Sequence, residues 1–144
     1  DGGTTVRLWA SMAATGHAHG LRIRVFGSTG SLEWIQEDPH HLRSSDLDAN
    51  ERVISQGTPE LCDEALRLTR VGLGHPEGVL EAFANFYGDI ADDLTARQSE
   101  AQPQHGHRYP DSRDGLLGMD FIEAVGRSHD AGGAAVPIHH QKES

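Results

Sequence analysis

The sequence predicts an α+β protein, an open antiparallel sheet with helices packed on one face. Apolar residues alternate with period 2 in the first third of the chain, recur at spacings of three and four in the rest, and the two regions do not interleave. Strands followed by helices indicate helices segregated to one face of an antiparallel sheet, whereas a parallel sheet needs the two to alternate. The 144 residues are the size of one domain. Residues 1–138 are read as that domain and residues 139–144 as a polar tail.

The first strand is expected over residues 4–14, where Val6, Leu8, Ala10 and Met12 face one way and Arg7, Trp9 and Ser11 the other. A glycine-bounded loop, residues 15–20, leads to a second strand over 21–26, with Leu21, Ile23 and Val25 inward and Arg22 and Arg24 outward. Gly27–Gly30 is a turn, and with the strand over 31–36 it makes a hairpin. Asp38-Pro39 breaks the ladder, and two weaker strands follow, His41–Ser44 and Glu51–Ser55. Together these give a meander of four or five strands.

Thr58 as N-cap and Pro59 at the first position predict a helix to about Thr69. After Gly72-Leu73-Gly74-His75, Pro76 opens a long helix to about Arg97, striped with Val79, Phe83, Phe86, Ile90 and Leu94. Its acids Asp89, Asp92 and Asp93 are placed on the far, solvated face. Residues 99–110 read as a loop, Asp111 or Ser112 caps a third helix over about 113–129, and residues 134–138 form a last short strand.

Twelve basic against 22 acidic residues give a formal charge of -10. Nucleic-acid binding rests on cations that neutralise phosphates, so nucleic acid and anionic membrane are excluded as partners. No apolar run approaches the ~18 residues of a membrane span, so a soluble chain is expected, and its expected location is the cytoplasm. The only lysine is Lys142, so chemistry needing a central lysine is excluded for this chain alone. The sole cysteine, Cys62, rules out a disulfide framework and reads as a half-buried small hydrophobe.

Glycines 72, 74 and 78 follow a helix rather than a strand and are spaced G-x-G-x-x-x-G, so they do not make a dinucleotide loop. Gly72 is expected at a helix C-cap and Gly74 in a tight turn. His75 is expected at the N-cap of the long helix, where its ring is either a substrate-side hydrogen-bonding group or a plain cap, with Glu77 in the first turn answering the dipole. The histidine pairs 17/19, 40/41, 105/107 and 139/140 lie in loops and at the tail without cysteine support, and do not form a structural metal site. No G-x-S-x-G elbow is present. Catalytic, cofactor-binding and metal-binding residues are therefore not assigned within the chain, and His75 alone is a candidate substrate contact.

Four segments in order carry a family resemblance. They are Val25-Phe26-Gly27-Ser28-Thr29-Gly30-Ser31-Leu32-Glu33-Trp34, Gln36-Glu37-Asp38-Pro39, the run from Gly74-His75-Pro76-Glu77-Gly78 through Glu81-Ala82-Phe83-Ala84-Asn85-Phe86-Tyr87, and Tyr109-Pro110-Asp111 with Asp114-Gly115 and Phe121-Ile122. The set resembles the later part of the C-terminal domain of the glucose–fructose oxidoreductase / inositol dehydrogenase / rhizopine-catabolism (Gfo/Idh/MocA) dehydrogenases. The resemblance implies an NAD- or NADP-dependent oxidoreductase acting on a sugar, cyclitol or polyol. It also implies an N-terminal Rossmann domain that holds the dinucleotide and an open sheet that forms a homo-oligomer interface. The family's glycine loop and its catalytic lysine beside a proline have no counterpart in these 144 residues. The chain is therefore expected to be a fragment, inactive and without cofactor on its own. The rival expectation is a stand-alone, non-enzymatic dimerisation or partner-binding module, supported by the Arg/Trp/Phe sheet face.

Overall fold

The computed structural model describes residues 3–48, 50–99, 101 and 108–138. The chain divides into two compact units, one ending at Ala82 and one beginning at Phe83. In the first unit, β1 (Arg22–Phe26), β2 (Gly30–Ile35), β3 (His41–Asp46) and β4 (Glu51–Ser55) form an antiparallel meander in that order. A short helix, α1 (Asp63–Leu68), follows it. The α+β class and the antiparallel sheet are as the sequence predicts.

The turns set the register. Gly27 N–H donates to the Gly30 carbonyl at 2.8 Å and closes the first hairpin. Gly30 must be glycine, because a Cβ there would stand 2.5 Å from the Ser45 carbonyl oxygen of β3. Asp46 Oδ1 accepts the Asp48 and Asn50 amides, each at 3.0 Å, and orders the β3–β4 turn. Its carboxyl is held below the ordinary aspartate range, first by the Asn50 backbone bond. The resulting pairing runs Ile23, Trp34, Leu42, Ile54 across one face and Arg24, Glu33, Arg43, Val53 across the other. Period 2 thus separates an apolar row from a charged one.

The apolar row faces α1. Trp34, Leu42 and Ile54 line one groove with Leu61, Ala65 and Leu68. The Trp34 indole N–H donates to the Pro39 carbonyl at 3.1 Å, so the ring packs without losing its polar partner. The charged face carries diagonal ion pairs, Arg22–Glu33 at 3.2 Å and Arg43–Glu51 at 2.8 Å.

Several expectations are corrected. Residues 4–14 form no strand. Alternation supplies two faces but not a ladder, and the chain turns away instead, with Thr15 N–H donating to Ala13 and His17 N–H to Ala14. Val6, Leu8, Trp9 and Met12 are exposed. The meander therefore has four strands. The first helix starts at Asp63 rather than at Pro59. Thr58 donates its hydroxyl to the Ser55 carbonyl at 3.0 Å, and Leu61 N–H closes a separate turn onto Thr58, so Thr58 closes the turn that follows β4 instead of capping a helix. Cys62 takes the N-cap position without a side-chain bond and is exposed, not half-buried. Thr69, not Gly72, is the C-cap.

α2 (Val79–Gln98) spans the boundary between the units, and α3 (Ser112–Asp130) lies in the second. The Asp111 side chain accepts from the Arg113 and Asp114 amides, and Asp114 returns a bond to Asp111 N–H at 2.9 Å. This reciprocal capping box fixes the start of α3 where the sequence predicts it. The expected strand over 134–138 is absent. Its carbonyls are taken by the end of α3, with Ser128 Oγ donating to Ala134 and Arg127 Nη2 to Pro137, each at 2.8 Å. The tail, 139–144, and most of the 99–110 loop lie outside the described residues.

Candidate functional site

The link between α1 and α2 is built by side-chain and backbone bonds of its own. Thr69 terminates α1, its N–H reaching Leu66 and its hydroxyl Ala65. His75 N–H donates to the Gly72 carbonyl at 3.1 Å, with Gly74 at φ +85°, a left-handed angle that glycine adopts without strain. The expected tight turn is present there. Glu77 Oε1 accepts the Arg70 and Val71 amides, both at 2.5 Å.

Gly78 then opens α2. Its carbonyl accepts Ala82 N–H at 3.0 Å, and its own N–H donates to Glu81 Oε2 at 2.8 Å. That bond comes first among the causes that hold the Glu81 carboxyl below the usual glutamate range.

His75 is therefore not the N-cap of the long helix. It stands in a turn three residues before Gly78, with its ring exposed and beside Gly72. The helix starts later than Pro76 suggests because Glu77 is drawn back to the Arg70–Val71 backbone, which keeps residues 76 and 77 out of the helix. Glu81, not Glu77, occupies the first turn and answers the positive end of the dipole.

A second group was missed by sequence reasoning. Asp93 is 3% exposed, not solvated. Tyr109 donates its hydroxyl to Asp93 Oδ2, and Arg97 Nη2 lies 2.8 Å from the same oxygen. The hydrogen bond to Asp93 is the main cause that raises the Tyr109 phenol above its ordinary range. Phe86 meets the Tyr109 ring edge-to-face at 6.3 Å and Tyr87 at 5.5 Å. The signal available in the sequence was spacing. Asp93 sits three after Ile90, three before Ala96 and four before Arg97, on the inner side of the helix. This group anchors the segment before α3 on α2. Asp92, its neighbour in sequence, is exposed as expected.

His40 and His41 serve locally. His41 Nδ1 bonds Asp38 at 2.6 Å and His40 Nδ1 bonds Gln56 at 3.0 Å. Glu37 accepts the Gly20 amide at 2.6 Å, which leads the causes lowering its carboxyl, with His19 and His17 contributing. Among the described residues no three His, Cys, Asp or Glu side chains come together as metal ligands. The 105/107 and 139/140 pairs lie outside those residues. No helix among the described residues is long and apolar enough to cross a membrane.

No protein-family model matches the chain. It is 32% identical over 133 residues to the Uncharacterized oxidoreductase YfiI of Bacillus subtilis (strain 168), covering 92% of this chain and 34% of that protein. An inositol dehydrogenase homolog from Azotobacter vinelandii, solved with NADH and myo-inositol, is 37% identical with a TM-score of 0.82, over 88% of this chain and 34% of its own. An oxidoreductase from Sinorhizobium meliloti is 38% identical with a TM-score of 0.78, over 86% and 34%. The chain thus spans about a third of the length of each of these proteins.

Proposed function

We propose that this chain, which matches the C-terminal part of Gfo/Idh/MocA-like oxidoreductases, is the substrate-side and assembly portion of a cytoplasmic NAD(P)-dependent oxidoreductase of a sugar, cyclitol or polyol. The observation that carries this is the 37% identity and TM-score of 0.82 to a protein solved with NADH and myo-inositol. The bound nicotinamide would supply hydride transfer, and the protein binding and orientation. These 144 residues contain no Rossmann glycine loop and no lysine but Lys142 near the end, so dinucleotide binding is assigned to a Rossmann domain elsewhere in the protein. His75, exposed in its turn, is assigned a hydrogen bond to a substrate hydroxyl.

The charged sheet face is assigned to contact between copies of the chain. Phe26 at 75% exposure and Val53 at 51% lie among Arg22, Arg24, Glu33, Arg43 and Glu51, a mixture suited to an isologous interface with a polar rim.

The test is hydride transfer in the intact protein, followed by the absorbance of the reduced nicotinamide with NAD+ or NADP+ and a panel of polyols and sugars. Turnover with at least one polyol or sugar is expected, together with no turnover by the 144-residue chain alone. An intact protein inert toward the whole panel with both nucleotides would overturn the assignment, and turnover by the chain alone would overturn its expected inactivity.

A further inference from the structure

We infer that Glu77 is the positioning residue for His75, holding the loop that presents its ring to a substrate hydroxyl; this rests on the substrate-side reading of His75 proposed above. Four observations converge on the loop. Glu77 spans back six and seven residues to accept the two amides that follow α1, those of Val71 and Arg70. A carboxylate shared by two N–H donors is a charge-assisted anchor, stronger than a neutral hydrogen bond. The ordinary task of an acid near a helix start is already taken, because Glu81 accepts the Gly78 amide. His75 lies between this anchor and the turn closed by its own N–H on Gly72. Pro76, with its fixed φ, is the single residue between His75 and Glu77, so displacement of Glu77 is passed to His75 with little slack.

The clamp also sits on a firm base. A Cβ on Gly57, just past β4, would lie 3.6 Å from the Thr69 side chain and 3.7 Å from the Leu73 backbone, so the loop runs close against the end of the sheet. A bound hydroxyl thus meets a ring whose backbone is tied at both ends, and the ordering cost of binding is reduced.

Two measurements test this. In the 144-residue chain, Glu77→Ala should speed amide hydrogen exchange at Arg70 and Val71 by about tenfold or more, while the ladder amides of β2 and β3 keep their rates. Glu77→Gln, which keeps an acceptor oxygen, should fall between. In the intact oxidoreductase, Glu77→Ala should raise KM for the polyol about tenfold, leave KM for the nicotinamide unchanged, and add nothing in a His75→Ala background. Unchanged exchange at Arg70 and Val71, or losses that add fully in the double variant, overturns the inference. His75→Ala with unaltered kinetics sinks the reading of His75 itself, while the exchange rates still judge the clamp. Should the alanine variant fail to fold, the glutamine variant carries both readouts: intermediate exchange and a smaller rise in polyol KM support the clamp, and unchanged values in both overturn it.

Discussion

Residues 4–14 and residues 22–55 carry the same alternation of apolar and polar side chains, yet only the second region is a sheet. The difference lies in what joins and anchors the segments. Within the meander each link has its own device: the Gly27–Gly30 closure, the Trp34–Pro39 bond and the Asp46 carboxylate over the β3–β4 turn. Between residue 14 and β1 the link carries local turns at Thr15 and His17 instead, and Glu37, just past β2, accepts the amide of Gly20, two residues before β1. Alternation states which face a residue would take. Turn chemistry decides whether there is a sheet for it to join.

This contrast can be broken first at Gly30. Gly30→Ala places a methyl against the Ser45 carbonyl and should cost about 2–3 kcal/mol, seen as a lowered urea midpoint; an unchanged midpoint would mean the two strands separate there at no cost. The two tryptophans sharpen it. Trp34→Ala removes a half-buried ring from the groove under α1 and should cost about 2 kcal/mol, whereas Trp9→Ala, at 78% exposure, should stay within about 0.5 kcal/mol. Equal losses would show that residues 4–14 join the sheet in solution. The smallest effect concerns pH. Asp46 has its carboxyl lowered below 3.8 in the folded chain, so its contribution is present above that value and is lost as pH falls below it. Asp46→Asn should flatten the part of the acid-stability curve below pH 3.8, and a curve identical to that of the parent would remove Asp46 as the turn's anchor.

Much of the fold was legible in the sequence. β1, β2 and β4 lie within a residue of their expected positions, and α3 begins where Asp111 and Asp114 make a capping box. Period and local caps are short-range signals, and they locate elements whose hydrogen bonds are also short-range. The site was less legible because its contacts run between segments. Thr58 looks like a cap, but its hydroxyl goes to Ser55. Glu77 looks like a dipole partner, but it bonds amides six and seven residues upstream. Asp93 looks solvated beside Asp92, but a tyrosine 16 residues later donates to it. In each case a polar side chain chose among several partners, and the choice depended on backbone geometry that composition does not encode.

The meander ends on both sides in strands that have a ladder partner on one edge only among the described residues, β1 beside β2 and β4 beside β3. Each outer edge offers a row of amides and carbonyls to any extended peptide that drifts past. On the β1 edge the chain meets that hazard with like charge: Arg24, beside the Glu33-paired Arg22, would confront its own copy if two such edges met in register. Arginines on the charged sheet face thus also guard its flank against uncontrolled fibre-like stacking, and salt, by screening them, would loosen that guard before it loosened the sheet.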